Sequence, residues 1–169
     1  MVHIGIDNGI SGSIGILTED GGAKFYHTPV MKLLHYTKQK QFFSRIDTEK
    51  LERLFRSFLC PELTQVSLLS SFVFLERPMV NPMRFKATES ALRAYEATLI
   101  VLERLRIGYR VIDSKEWQKQ LLPTGIKGSS ELKKASLDIG KRTFPQIDFT
   151  GFTDSDGLLI AEYNRRCYK

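Results

Sequence analysis

VHIGIDNGISGSIGIL, residues 2 to 17, is the stretch from which the fold class follows. Its two parts, 2–7 and 12–17, are apolar or alternating over strand length, and Asn8-Gly9-Ile10-Ser11 between them is built of turn-forming residues. A β-hairpin is predicted, with a first strand that ends on an acid, Asp7. Gly21-Gly22 makes a second turn, and 24–30 (KFYHTPV) supplies a third antiparallel strand, Pro29 being suited to a strand end.

Past a basic, less regular stretch, Asp47 and Thr48 are good N-caps for a helix through LERLFRSFL, with Leu51, Leu54, Phe55 and Phe58 on one face. Residues 71–76 (SFVFLE) predict a short buried strand that ends on a second acid, Glu76, because Pro78 prevents simple continuation. The longest helix is expected over 88–106, where Ala91, Leu92, Tyr95, Leu99, Leu102 and Leu105 form an apolar stripe, and a strand at 108–112 (GYRVI) follows. Ser114 can cap a short helix holding Trp117, a basic helix starts near Ser130 and is closed by Pro145, and a last helix begins near Thr153. Leu158, Leu159, Ala161 and Tyr163 of that helix face the core. Early antiparallel strands followed by strands alternating with helices predict an α/β fold, a mixed central sheet flanked by helices. A chain of 169 residues without a Pro/Gly/Ser-rich linker reads as one domain over 1–169.

The chain carries 25 Lys+Arg against 19 Asp+Glu, a formal charge of +6, which favours a polyanionic partner. The excess is local. Residues 31–45 hold Lys32, Lys38, Lys40 and Arg45 with no acid, residues 77–86 hold Arg77, Arg84 and Lys86 with none, and 127–142 are again basic. Each cluster alone also fits a plain solvated face. Cys60 and Cys167 are too few for a disulfide framework and lack metal-ligand spacing. No basic segment followed by an apolar one opens the chain, and no apolar run approaches the ~18 residues that span a bilayer, so a cytoplasmic protein is expected.

Four acids carry the chemistry: Asp7 and Glu76 at strand ends, and Asp154 and Asp156 in the expected first turn of the last helix. If these places converge, the carboxylates repel one another, and divalent cations offset that repulsion. Hard oxygen donors of this kind suit Mg²⁺, with Mn²⁺ able to substitute, and a pair of such ions can clamp a phosphodiester for in-line hydrolysis. Each acid has a structural alternative: an Asp-Asn-Gly turn for Asp7, an ion pair with Arg77 for Glu76, helix-dipole acids for the other two. His3, His27 and His35 lie at no chelating spacing.

GIDNGISGSIGIL (5–17), FLERP (74–78), the block from Trp117 to Pro145 and DSDGLLIAEYNRR (154–166) together resemble the RuvC-type Holliday junction resolvases of the RNase H-like superfamily, particularly their shorter forms. The resemblance implies a metal-dependent endonuclease that resolves four-way or other branched DNA by paired nicks, leaving 5′ phosphates and 3′ hydroxyls. Matched motif by motif, it implies Asp7, Glu76 and Asp156 as metal ligands. The fourth acid departs from the family's D-x-x-D, since Thr153 stands three residues before Asp156 and the nearest acid is Asp154. Residues i and i+2 of a regular helix point apart. With Thr153 as N-cap, Asp156 would sit where it can reach back to the cap, but the resemblance implies Asp156 as the direct metal ligand, with Asp154 expected to bind more weakly or through water.

The same resemblance implies a homodimer. Its candidate interface is the 88–106 helix, with an apolar surface reaching Ala94, Thr98 and Val101; a buried core helix is the competing reading. For DNA contact the candidates are Arg77, Arg84, Lys127, Lys133 and Lys134 on phosphates. Met79, Met83 and Phe85 are candidates for wedging into opened bases, with core packing as their alternative. A related nuclease acting on forked DNA or RNA–DNA hybrids and an inactive DNA-binding module are the rival functions. A sugar-kinase-like phosphotransferase, which also begins with an apolar strand, an acid and a glycine-rich turn, needs two such domains.

Overall fold

The computed structural model describes residues 1–35, 40–59 and 71–168; Lys38 and Cys60 lie outside them. The predicted hairpin is there: β1 (Val2–Ile6) and β2 (Ser13–Thr18) pair antiparallel with Ile4 opposite Ile16 and Gly5 opposite Gly15. β3 (Ala23–His27) adds antiparallel to β2. β6 (Ser71–Glu76) and β7 (Gly108–Ile112) extend the other edge in parallel, giving the order β3-β2-β1-β6-β7. The central strands are buried on both faces, which is why VHIGI and SFVFLE are near-continuous apolar runs.

Strand alternation sorts the core into two layers. Ile4, Ile6, Ile14, Ile16, Val73 and Leu75 point to one face, where they meet Leu51 and Phe55 of α1 (Thr48–Leu59) and Ala94, Val101 and Leu102 of α2 (Phe85–Arg104). Phe74 and Leu17 point to the other, under α5 (Asp156–Cys167), which supplies Leu158, Leu159, Ile160 and Ala161. Packed around that helix are α3 (Ser114–Leu121), with its fully buried Trp117, and α4 (Ser129–Thr143). Asp47 caps α1 as expected, its Oδ1 accepting from the Lys50 amide at 3.0 Å.

The structure corrects four expectations. Residues 30–34 and 42–46 are not irregular: β4 (Val30–Leu34) and β5 (Phe42–Ile46) form a separate antiparallel hairpin. A two-stranded hairpin is marginal by itself, and this one is held to α2 by the Arg93 guanidinium, 4.5 Å from the centre of the Phe43 ring. Second, α2 starts at Phe85 and buries Ala94, Thr98 and Val101 in the chain's own core, so those residues are no interface, while Leu92 is exposed. Third, α3 is capped by Asp113 rather than Ser114, in a reciprocal box with Glu116. Fourth, α5 starts at Asp156, which leaves Thr153 and Asp154 outside the helix.

Candidate active site

Asp7 immediately follows β1, its amide donating to the Ser13 carbonyl at 3.0 Å across the hairpin. Parallel pairing of Ile6 with Leu75 brings Glu76, the last residue of β6, to the same end of the sheet. α5 arrives there because Gly5 and Gly15 face each other in the ladder and leave a trough: a Cβ on Gly5 would run into the Ala161 and Gly157 backbone, and one on Gly15 would lie 2.5 Å from Leu158 Cα. The Gly157 amide donates to Ser13 Oγ at 3.1 Å, pinning the helix start beside the strand that follows Asp7. Asp154 sits in the turn before the helix, so the divergence expected of i and i+2 does not arise. Carboxylate oxygens of Asp7, Asp154 and Asp156 all lie within 4.8 Å of one another.

Glu76 stands outside that triad but close enough to feel it. Its pKa is raised to about 7, first by burial and next by the Asp156 charge. Asp156 is raised to about 6 by burial and then by Asp154, opposed by a hydroxyl hydrogen bond from Ser136 and by Lys133. Asp7 is pushed well above the ordinary carboxylate range by burial, then by Glu76, Asp156 and Asp154. Such a set binds protons unless a cation neutralises it, and its all-oxygen donors fit a hard divalent ion. The fully buried Trp117 favours the charged form of Glu76. Its indole N–H nevertheless completes no hydrogen bond of normal geometry among the described residues.

α4 supplies the supports that sequence reading missed or misassigned. Lys133, expected on phosphate, places Nζ 2.8 Å from Asp154 Oδ2, and that bond is the first cause of its raised pKa. Ser136, one turn on, donates to Asp156 and accepts from the Ser155 amide at 3.1 Å. The signal was the i, i+3 spacing, which puts both side chains on the face towards the acids. The remaining DNA-contact candidates lie on the surface. Arg77 pairs with Asp113 and Lys134 with Glu131, while Arg84 and Lys127 are exposed. Core packing does not hold for Met79, Met83 and Phe85, which are 80%, 92% and 72% exposed. The histidines are engaged elsewhere: His3 Nδ1 lies 3.3 Å from Asn164 Oδ1, and His27 stacks on Phe152.

No family model matches the sequence, and no curated protein does. Solved structures do. A structure of Thermus thermophilus RuvC matches with a TM-score of 0.54 and 15% identity, over 99% of this chain and 97% of that one. T. thermophilus RuvC in complex with Holliday junction substrate matches at 0.56 and 14%, over 95% and 90%. With both chains covered almost completely, the fold of this protein is the RuvC-type, RNase H-like fold.

Proposed function

We propose that the protein is a divalent-metal-dependent endonuclease that resolves four-way DNA junctions by paired nicks. The observation that carries this reading is the convergence of Asp7, Asp154 and Asp156, with Glu76 beside them, at the end of the sheet. The likeness to a RuvC solved with a Holliday junction supports the substrate class. These four acids would hold two Mg²⁺ or Mn²⁺ ions, which supply activation of the attacking water and neutralisation of charge on the leaving 3′ oxygen.

The chain's own groups do the positioning. Ser136 fixes Asp156 by its hydroxyl, and Lys133 holds Asp154 while lowering the local negative charge that a phosphodiester must approach. The exposed Arg84, Lys127 and Lys134 offer phosphate contacts, and the exposed Met79 and Phe85 wedge between or stack on bases freed at a branch point. Cutting two strands in concert requires a homodimer. Its contact is proposed through the outer face of α2, where Leu92 and Ile100 are exposed. The test is incubation with a synthetic four-way junction, a matched linear duplex and an RNA–DNA hybrid, with and without Mg²⁺. Symmetric nicks in the junction alone are expected. Cleavage of the hybrid in preference would replace this reading by a hybrid-specific nuclease, and binding without cleavage would leave a DNA-binding module.

A further inference from the structure

The β4–β5 hairpin and the first turns of α2 enclose a cleft of about 300 Å³ that the catalytic reading does not use. Its lining joins two chemistries. Arg45, Lys86 and Arg93 give three cations against one acid, Glu89, and Phe42 stands at the rim, 65% exposed. Arg93 is committed to the wall, lying over the Phe43 ring and 3.4 Å from Glu89. Arg45 and Lys86 are exposed and have no carboxylate partner among the described residues.

The cleft lies on the α2 side of the sheet and the acids on the α5 side, and the turn after Asp7 joins the two. Ile10, which lines it, lies in the same turn as Asp7, three residues on. Asn8 of that turn donates to the Ala91 carbonyl of α2 at 3.1 Å, fixing the turn to the helix that forms the other wall. The turn that follows Asp7 thereby forms part of the cleft wall and is tied to the helix opposite.

The geometry points to this cleft as the binding site for one unpaired nucleotide of the bound DNA, its base on Phe42 and its phosphate on Arg45 and Lys86. An exposed aromatic edge beside cations binds single strands because every free base offers a π-face, whereas a stacked duplex offers none. The cleft's size is at the small-ligand end of binding sites, suited to one nucleotide and closed to a helix. This deepens the nuclease reading and rests on it for the identity of the strand. It also gives Arg45, of the basic 31–45 segment, a role.

The test is fluorescence anisotropy of the full chain with a labelled single-stranded oligothymidine and with a labelled blunt duplex, in EDTA so that nothing is cut. Phe42→Ala is expected to weaken oligothymidine binding about fivefold or more and duplex binding less than about twofold. Phe42→Tyr, which keeps the ring, should restore the affinity. Arg45→Gln should weaken oligothymidine binding and reduce its logarithmic salt slope by about 1. Both substituted side chains are on the surface, and thermal melts verify that the variants are folded. Oligothymidine binding unchanged in Phe42→Ala, or equal losses on duplex, would overturn the assignment. Failure of wild-type protein with Mg²⁺ to nick a junction would instead remove the nuclease reading and leave these binding results standing.

Discussion

A carboxylate that ligates a metal and one that caps a helix respond differently to amidation. Asp7→Asn and Glu76→Gln are expected to reduce junction cleavage below about a tenth of wild type, a barrier change above ~1.4 kcal/mol, while binding stays intact or tightens as repulsion with phosphate falls. Gel nicking and mobility-shift assays on the same preparations separate the two effects. Asp154→Asn is expected to match Asp156→Asn, since both carboxylates converge with Asp7. Elevated Mg²⁺ should rescue neither. Selective rescue of Asp154→Asn would return that residue to the weaker role its sequence position suggests. Ser136→Ala removes the donor that favours charged Asp156. Its nicking rate should require more Mg²⁺ for half-saturation, with a smaller loss at saturating metal; an unchanged metal titration would make Ser136 purely a packing residue.

Helix α5 reaches the acids only because the sheet lets it sink. Gly15→Ala would set a Cβ 2.5 Å from Leu158 Cα, so the helix must lift, at a cost of roughly 1–3 kcal/mol and with loss of Asp156 from the cluster. A lower Tm together with lost nicking is expected, and a melt indistinguishable from wild type would refute the close packing. Periodicity made the elements of this contact visible in advance: VHIGI, SGSIGI and SFVFLE alternate or run apolar, and Asp7 and Glu76 end their strands. The start of α5 was not visible, because its first donors are satisfied at long range. Ser13 Oγ takes the Gly157 amide and Ser136 Oγ the Ser155 amide, the Asp156 amide has only a 3.4 Å contact to Asp154 Oδ1, and Ser155 at the cap position makes no side-chain cap bond. Thr153, a better cap by type, misled. The β4–β5 hairpin was hidden similarly: basic residues interrupt its apolar pattern, and its stability comes from docking on α2. Lys133 looked like any exposed helix lysine until α4 was placed against Asp154.

At the scale of the whole molecule, light scattering at micromolar concentration should give a dimeric mass, reduced towards monomer by Leu92→Glu with Ile100→Glu; a monomer with and without junction DNA would leave a single-cut nuclease. Stability should also report the acid cluster. Glu76 is raised from 4.5 to about 7, and Asp7 and Asp156 are raised with it. At pH values between the unfolded and folded pKa, the native state holds protons that the unfolded chain has released, so stability falls as pH rises. For Glu76 this contribution is present below about pH 4.5 and lost through about pH 7, on the order of 3 kcal/mol. Metal binds the deprotonated set and the native state alone, which reverses the loss. Metal-free protein should therefore lose stability from pH 5 to pH 8 relative to Glu76→Gln, in which that titration is absent. Millimolar Mg²⁺ should raise the wild-type Tm at pH 8 and change it little at pH 5. Denaturant melts at both pH values with EDTA or Mg²⁺ decide this. Parallel pH slopes in wild type and Glu76→Gln, with no Tm gain from Mg²⁺, would mean that the carboxylates neither share their charge nor hold an ion.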